Sequence, residues 1–162
     1  MSQRSLNQKG LTLLELVIAM AIATLVVGAA SAVWFQMSTG SDRDTKYMAA
    51  FTQVQNAGSW ITRDAVQAQQ VYDTSGLVTL AWVDWEGNSH QVMYTLEGSG
   101  ELRRSYSINS GAPETTLVAV YIDSSTTCDW DEDERMLTLV IMAQVGERSA
   151  SRTYKVEPRP LS

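Results

Sequence analysis

From Leu11 to Met37 the chain runs through twenty-seven residues in which Glu15 is the only ionisable group. At about 1.5 Å of rise per residue, a helix of that length exceeds the ~30 Å of hydrocarbon in a bilayer. The run is therefore predicted to be a single membrane-spanning helix. Its anomaly is Glu15, because a carboxylate within a span costs roughly 2.5–3.5 kcal/mol on insertion scales and asks for a partner. Arg4 and Lys9 precede the run without any acid, and the mixed charges of Asp42, Arg43, Asp44 and Lys46 follow it. That asymmetry orients the N-terminus to the cytoplasm and sends the remainder of the chain outside.

The residues around the start of the run carry a family resemblance. Lys9-Gly10 followed by Leu11-Thr-Leu-Leu-Glu15-Leu-Val-Ile-Ala-Met20 resembles the class III leader junction of type IV pilins and type II secretion pseudopilins. The shared features are a basic leader free of acids, glycine at its last position, an apolar first mature residue and glutamate at the fifth. Leu11 stands where phenylalanine is commonest in the family. The resemblance implies cleavage after Gly10 by a prepilin peptidase and N-methylation of Leu11. It also implies docking of the subunit through Leu11 and Glu15 onto other pilin or pseudopilin subunits, at an inner-membrane assembly platform. The chemistry is self-consistent. Cleavage creates an α-amine on Leu11, protonated for the most part at neutral pH. Glu15 lies one helical turn away on the same face. A competing reading makes Arg4 and Lys9 the n-region of a secretory signal cut at Ala30-Ser31-Ala32. Against it, an acid lies directly upstream of the apolar stretch, and hydrophobic character continues through Val33, Trp34 and Phe35.

Beyond the span about 125 residues remain, enough for one compact core. The net charge is −6, and loss of a leader holding Arg4 and Lys9 makes it −8. An acidic surface argues against nucleic acid as a partner. Cys128 is the sole cysteine, so the C-terminal disulfide loop carried by many major pilins is excluded. As a nucleophile Cys128 would need His90, the sole histidine, and no motif surrounds either residue. No nucleophile, base or metal-ligand motif points to an enzyme.

Residues 38–71 read as an amphipathic helix. Tyr47, Phe51, Val54, Gly58, Ile61, Ala65 and Ala68 recur at spacings of three and four, and Asp42, Arg43, Gln53, Asn56, Arg63, Asp64 and Gln67 fall largely elsewhere. Gly40 and Ser41 mark a weak point at its start. Strands are predicted over Leu77–Trp85, Gln91–Leu96, Glu101–Ile108, Thr116–Ile122, Met136–Val145 and Ser149–Val156, with 123–134 as a polar connection. One helix followed by antiparallel strands is an α+β pattern, and the resemblance makes it type IV pilin-like: a long N-terminal helix packed on an antiparallel sheet. The expected organisation is a leader at 1–10, a transmembrane helix at 11–37, the amphipathic helix at 38–71 and a β domain at 72–162. The Val92–Leu102 hairpin with Arg103-Arg104, together with the late Gly-Glu turn and the Val156–Pro160 end, is similar to J-type minor pseudopilins and W-type minor pilins.

Two further constellations stand out. Asp129, Asp131 and Asp133 alternate in a run of five carboxylates and offer a candidate calcium site. The EF-hand pattern fails, because Glu134 occupies the position that needs glycine. A solvated acidic loop is the alternative. The five tryptophans suggest a binding platform, but Trp82 and Trp85 fall on opposite strand faces, which favours core filling. A membrane-anchored binding module that never assembles is the competing function.

Overall fold

A computed structural model describes residues 12–72 and 76–159. The chain divides into two compact units, Met1–Asp42 and Arg43–Ser162. A helix, α1, runs over Leu13–Gln67 with no break at Gly40. In the first unit every described side chain from Thr12 to Ser38 is exposed, including Leu25, Trp34 and Phe35. This helix is apolar all round and long enough to cross a membrane. Its interior hydroxyls are satisfied on the helix itself: Thr24 donates to the Ala21 carbonyl and Ser31 to the Val27 carbonyl, both at 2.8 Å. Neither hydroxyl is left without a partner in a surrounding that offers none.

In the second unit α1 buries one stripe. Ala50, Val54, Ala57, Ile61, Ala65 and Ala68 are fully buried; Val54, Ile61, Ala65 and Ala68 fall as read, but Tyr47 is 46% exposed and Phe51 only partly buried, so the start of the stripe runs through Ala50 and Ala57 instead. The helix ends four residues before the expected Val71. The Gln69 amide donates to the Ala81 carbonyl at 2.9 Å, so sheet pairing captures the backbone there. Gln70–Tyr72 becomes strand β1.

Strands β2 (Val78–Val83), β3 (Ser89–Leu96), β4 (Leu102–Ile108) and β5 (Glu114–Ala119) continue an antiparallel meander in the order β1-β2-β3-β4-β5. A second sheet holds β6 (Thr127–Asp131), β7 (Met136–Val145) and β8 (Arg148–Val156), also antiparallel. Two sheets thus replace the single one expected. β5 stops at Ala119 instead of Ile122, because Tyr121 turns into the left-handed region at φ 62°. Ile122 then bridges both sheets: its amide donates to the Gly100 carbonyl at 2.9 Å and its backbone pairs with Ala143.

β6 lies inside the stretch expected to be a polar connection. Its Cys128 and Trp130 point toward the core while Thr127, Asp129 and Asp131 face out. The outward carboxylates masked the alternation. The tryptophans do not fill the core as expected: Trp60, Trp82 and Trp130 sit at its rim, and Trp85, on the β2–β3 turn, is 92% exposed. Fully buried Leu80, Val92, Tyr94, Leu102, Leu137, Leu139 and Ile141 form the centre.

Two of the contacts between α1 and the strands are specific to single residues. A Cβ at Gly58 would lie 2.1 Å from the ring of Tyr154 on β8; the glycine is the seat of that ring. Asp64, assigned to the polar face, is 2% exposed. It accepts from the Tyr94 hydroxyl at 2.5 Å and from Arg104 Nε at 2.6 Å and Nη2 at 3.3 Å. Burial and the Asp64 carboxylate push the Tyr94 phenol far up, so it stays a donor.

Gly58→Ala should therefore destabilise the unit by about 1–2 kcal/mol through overpacking. In a Tyr154→Ala background the same change should stabilise by about 1 kcal/mol, the ordinary helix-propensity gain. Thermal unfolding of the full chain in detergent reads both, and one sign in both backgrounds would refute the ring-seat account. Asp64→Ala should cost about 3–5 kcal/mol by stranding Arg104, while Asp64→Leu with Arg104→Met should recover most of it. A loss in the double variant as large as in the single one would refute the stranded-charge account.

Candidate functional site

The candidate site lies at the start of α1. Thr12 is its N-cap: the Glu15 amide donates to Thr12 Oγ1 at 3.4 Å, and the Leu16 amide to the Thr12 carbonyl at 3.2 Å. Thr12-Leu-Leu-Glu15 has the threonine–glutamate spacing of a capping box, and its forward half is present. Glu15 therefore occupies the third helical position, in the first turn, where the positive end of the helix dipole favours a negative charge by about 0.3–1 kcal/mol. The flanking side chains are apolar and exposed: Leu13 by 82%, Leu14 by 70% and Leu16 by 53%. The geometry is one exposed carboxylate on an otherwise apolar surface, one turn from the helix start. Gly10 and Leu11 lie outside the described residues.

The candidate calcium ligands are not gathered. Asp129 and Asp131 stand on β6, and Asp131 Oδ1 accepts from the Glu134 amide at 2.9 Å. Asp133 belongs to the turn that follows. Among the described residues no group of three His, Cys, Asp or Glu side chains is placed to hold a metal ion. Cys128 is half-buried on β6 opposite Leu139, while His90 lies on β3.

His90 forms a cluster that residue spacing did not reveal. Its Nδ1 is 2.7 Å from the Tyr106 hydroxyl and its Nε2 is 3.0 Å from Asp84 Oδ2. The ring stacks on Trp82 with centroids 5.2 Å apart. The hydrogen bond from His90, followed by that from Asn88, holds the Asp84 carboxyl well below the usual carboxylate range. Trp82, His90 and Tyr106 come from three adjacent strands, in the register Trp82↔His90 and Val92↔Tyr106, and Asp84 directly follows β2. With both ring nitrogens engaged, the imidazole ties β2, β3 and β4 together at their rim. Asp64 did leave a signal. It lies seven residues after Ala57 and four before Ala68, which is the spacing of the buried stripe.

Residues 5–31 match the family model for the prokaryotic N-terminal methylation motif. Comparison with curated proteins and with solved structures finds no match. The matched residues take in the leader junction, Glu15 and the apolar start of α1. The matched motif is the class III prepilin leader pattern, which supports a subunit of the type IV pilin or pseudopilin type and points to a structural role.

Proposed function

We propose that the chain is a structural subunit, of the minor kind, of a type IV pilus or type II secretion pseudopilus. A prepilin peptidase cuts it after Gly10, Leu11 is N-methylated, and residues 11–37 hold it as a single-pass protein in the inner membrane. The globular part lies outside the cytoplasm until the subunit is drawn into the filament from the assembly platform. The observation that carries this reading is the lone Glu15, in the first turn of an apolar helix, within the matched motif. A carboxylate there has no use in a plain anchor. In a filament it meets the charged amine of a preceding subunit and sets the axial register. The minor and J-type assignment draws on the hairpin resemblance and on the single cysteine. Residues 38–71 and 72–162 supply the packing helix and the β domain.

Intact mass and N-terminal sequence, taken with the peptidase present and deleted, test processing. The expected result is a peptidase-dependent start at Leu11 carrying a methyl group; a start at Val33 would mean ordinary secretion. Glu15→Ala separates a filament subunit from an anchor. The variant should remain in the membrane, yet enter filaments about tenfold less, equivalent to about 1.4 kcal/mol of lost docking. Undiminished incorporation would remove Glu15 from assembly.

A further inference from the structure

Trp85 is 92% exposed, the highest value for a large apolar side chain among the described residues, whereas Trp60, Trp82 and Trp130 are partly buried. Its turn is built to hold it there. Asp84 Oδ1 accepts from the Glu86 and Asn88 amides at 2.9 and 2.8 Å. Asp84 Oδ2 accepts from Asn88 Nδ2 at 3.1 Å and lies 3.0 Å from His90 Nε2. Gly87 supplies the left-handed step of the turn, at φ 85°. The β4–β5 connection braces it from the side: Asn109 Nδ2 donates to Asn88 Oδ1 at 3.0 Å, and the Ser89 amide donates to Asn109 Oδ1 at 2.9 Å. None of these bonds involves the indole. A large aromatic side chain standing in water on a backbone already fixed gives up little further freedom on contact, which is the condition of a binding anchor.

The charge around the indole selects what can bind. From Asp84 to Leu102 and from Ser105 to Glu134 the sequence holds no lysine or arginine, so neither loop of this tip brings a side-chain cation. Asp84 is held ionised by its hydrogen bonds, those of His90 and Asn88 foremost. Glu86 is exposed; its Oε2 accepts from Asn88 Nδ2 at 3.3 Å, and no ion pair reaches it among the described residues. An indole beside a carboxylate attracts a cation through both the ring quadrupole and the charge. The chain itself shows the pairing once: the Arg63 guanidinium lies 4.1 Å from the Trp60 centroid and 3.7 Å from Asp64 Oδ1. At Trp85 the ring and the carboxylate are present and the chain supplies no guanidinium. A saccharide would use the ring and gain nothing from the charge.

We infer that the Trp85 turn is a docking tip for a basic segment of a partner protein, with an arginine side chain lying on the indole and its edge against Glu86. Arginine fits better than lysine, because its plane stacks on the ring while its edge bonds the carboxylate. The tip lies past the end of α1, where the Val83 amide donates to Gln69 Oε1 at 3.0 Å. The contact is wholly within the second unit and is independent of cleavage after Gly10 and of docking by Glu15.

The full chain in non-ionic detergent, titrated at low salt into a fluorescein-labelled Arg-Gly-Arg-Gly-Arg amide, tests this by anisotropy. The peptide should bind, and its citrulline analogue should bind at least tenfold more weakly. Trp85→Leu, which leaves the charge unchanged, should weaken binding by about two- to fivefold, and Glu86→Gln by a similar factor. Asp131→Asn with Asp133→Asn removes twice as much charge from the β6–β7 turn and should weaken it less than Glu86→Gln does. Thermal unfolding of Trp85→Leu should match that of the parent, since the side chain is exposed. Binding that survives Trp85→Leu undiminished, or that falls further in the Asp131, Asp133 variant, overturns the proposal. Fluorine NMR of the chain labelled with 5-fluorotryptophan locates the contact: the peptide should shift the resonance that Trp85→Phe removes. If cellohexaose shifts that resonance and the peptide does not, the tip takes a saccharide and the basic partner is rejected.

Discussion

A backbone surrounded by hydrocarbon has no water to bond, and this constraint suits the apolar N-terminal stretch of α1. Only a helix satisfies every amide and carbonyl within its own segment. The residues from Leu13 onward meet that demand with an apolar surface on all sides and hydroxyls folded back onto carbonyls. The same helix then changes from apolar all round to one buried stripe, without a break. From Ala50 to Ala68 its buried side is small, chiefly alanine with Gly58, and the sheets approach its backbone closely. Small residues give little apolar area each. The mass of the core therefore comes from the strands, from Leu80, Tyr94, Leu102, Leu139 and Ile141.

A stripe in which four of the buried apolar positions are alanine and only Val54 and Ile61 are larger specifies position along the helix weakly. Asp64 and Gly58 supply the missing register. The first accepts from Tyr94 and Arg104, on neighbouring strands β3 and β4; the second admits the ring of Tyr154 from β8. One helix is thus keyed to both sheets by features that cannot slide by a turn. A buried ion pair is weak evidence for stability, since desolvation offsets much of its attraction. Its use here is to make wrong registers costly: any shift would leave Arg104 or Asp64 without its partner.

The parts legible in the sequence are those set by local pattern. The apolar run with Glu15 near its start, the later part of the buried stripe from Val54 to Ala68, and strand β7, which falls on Met136–Val145 as read, each depend on residues within one element. What stayed hidden depends on pairing between elements. β6 escaped because its outer face is nearly all acid, although its inner Cys128 and Trp130 alternate correctly. The Asp84–His90–Tyr106 cluster escaped because sixteen residues separate His90 from Tyr106, and only the β3–β4 register brings them together. Asp64 was misplaced because its charge outweighed its spacing. The split into two sheets turns on Tyr121, whose left-handed backbone is not what an aromatic residue in a strand leads one to expect.

The position of Glu15 also bears on how a subunit waits in the membrane. A carboxylate at the middle of a span would carry the full insertion cost, roughly 2.5–3.5 kcal/mol. In the first turn, capped by Thr12, it lies in the favourable field of the helix start, which offsets about 0.3–1 kcal/mol. The remainder is not cancelled by anything on the apolar face around it, where Leu13, Leu14 and Leu16 are its exposed neighbours. On the proposed function this residual cost has a use. It is low enough for a subunit to reside in the bilayer, and it is released when a neighbouring subunit's amine arrives. A glutamate one or two turns deeper would bind that amine more strongly but would be harder to insert. The third helical position keeps both steps accessible.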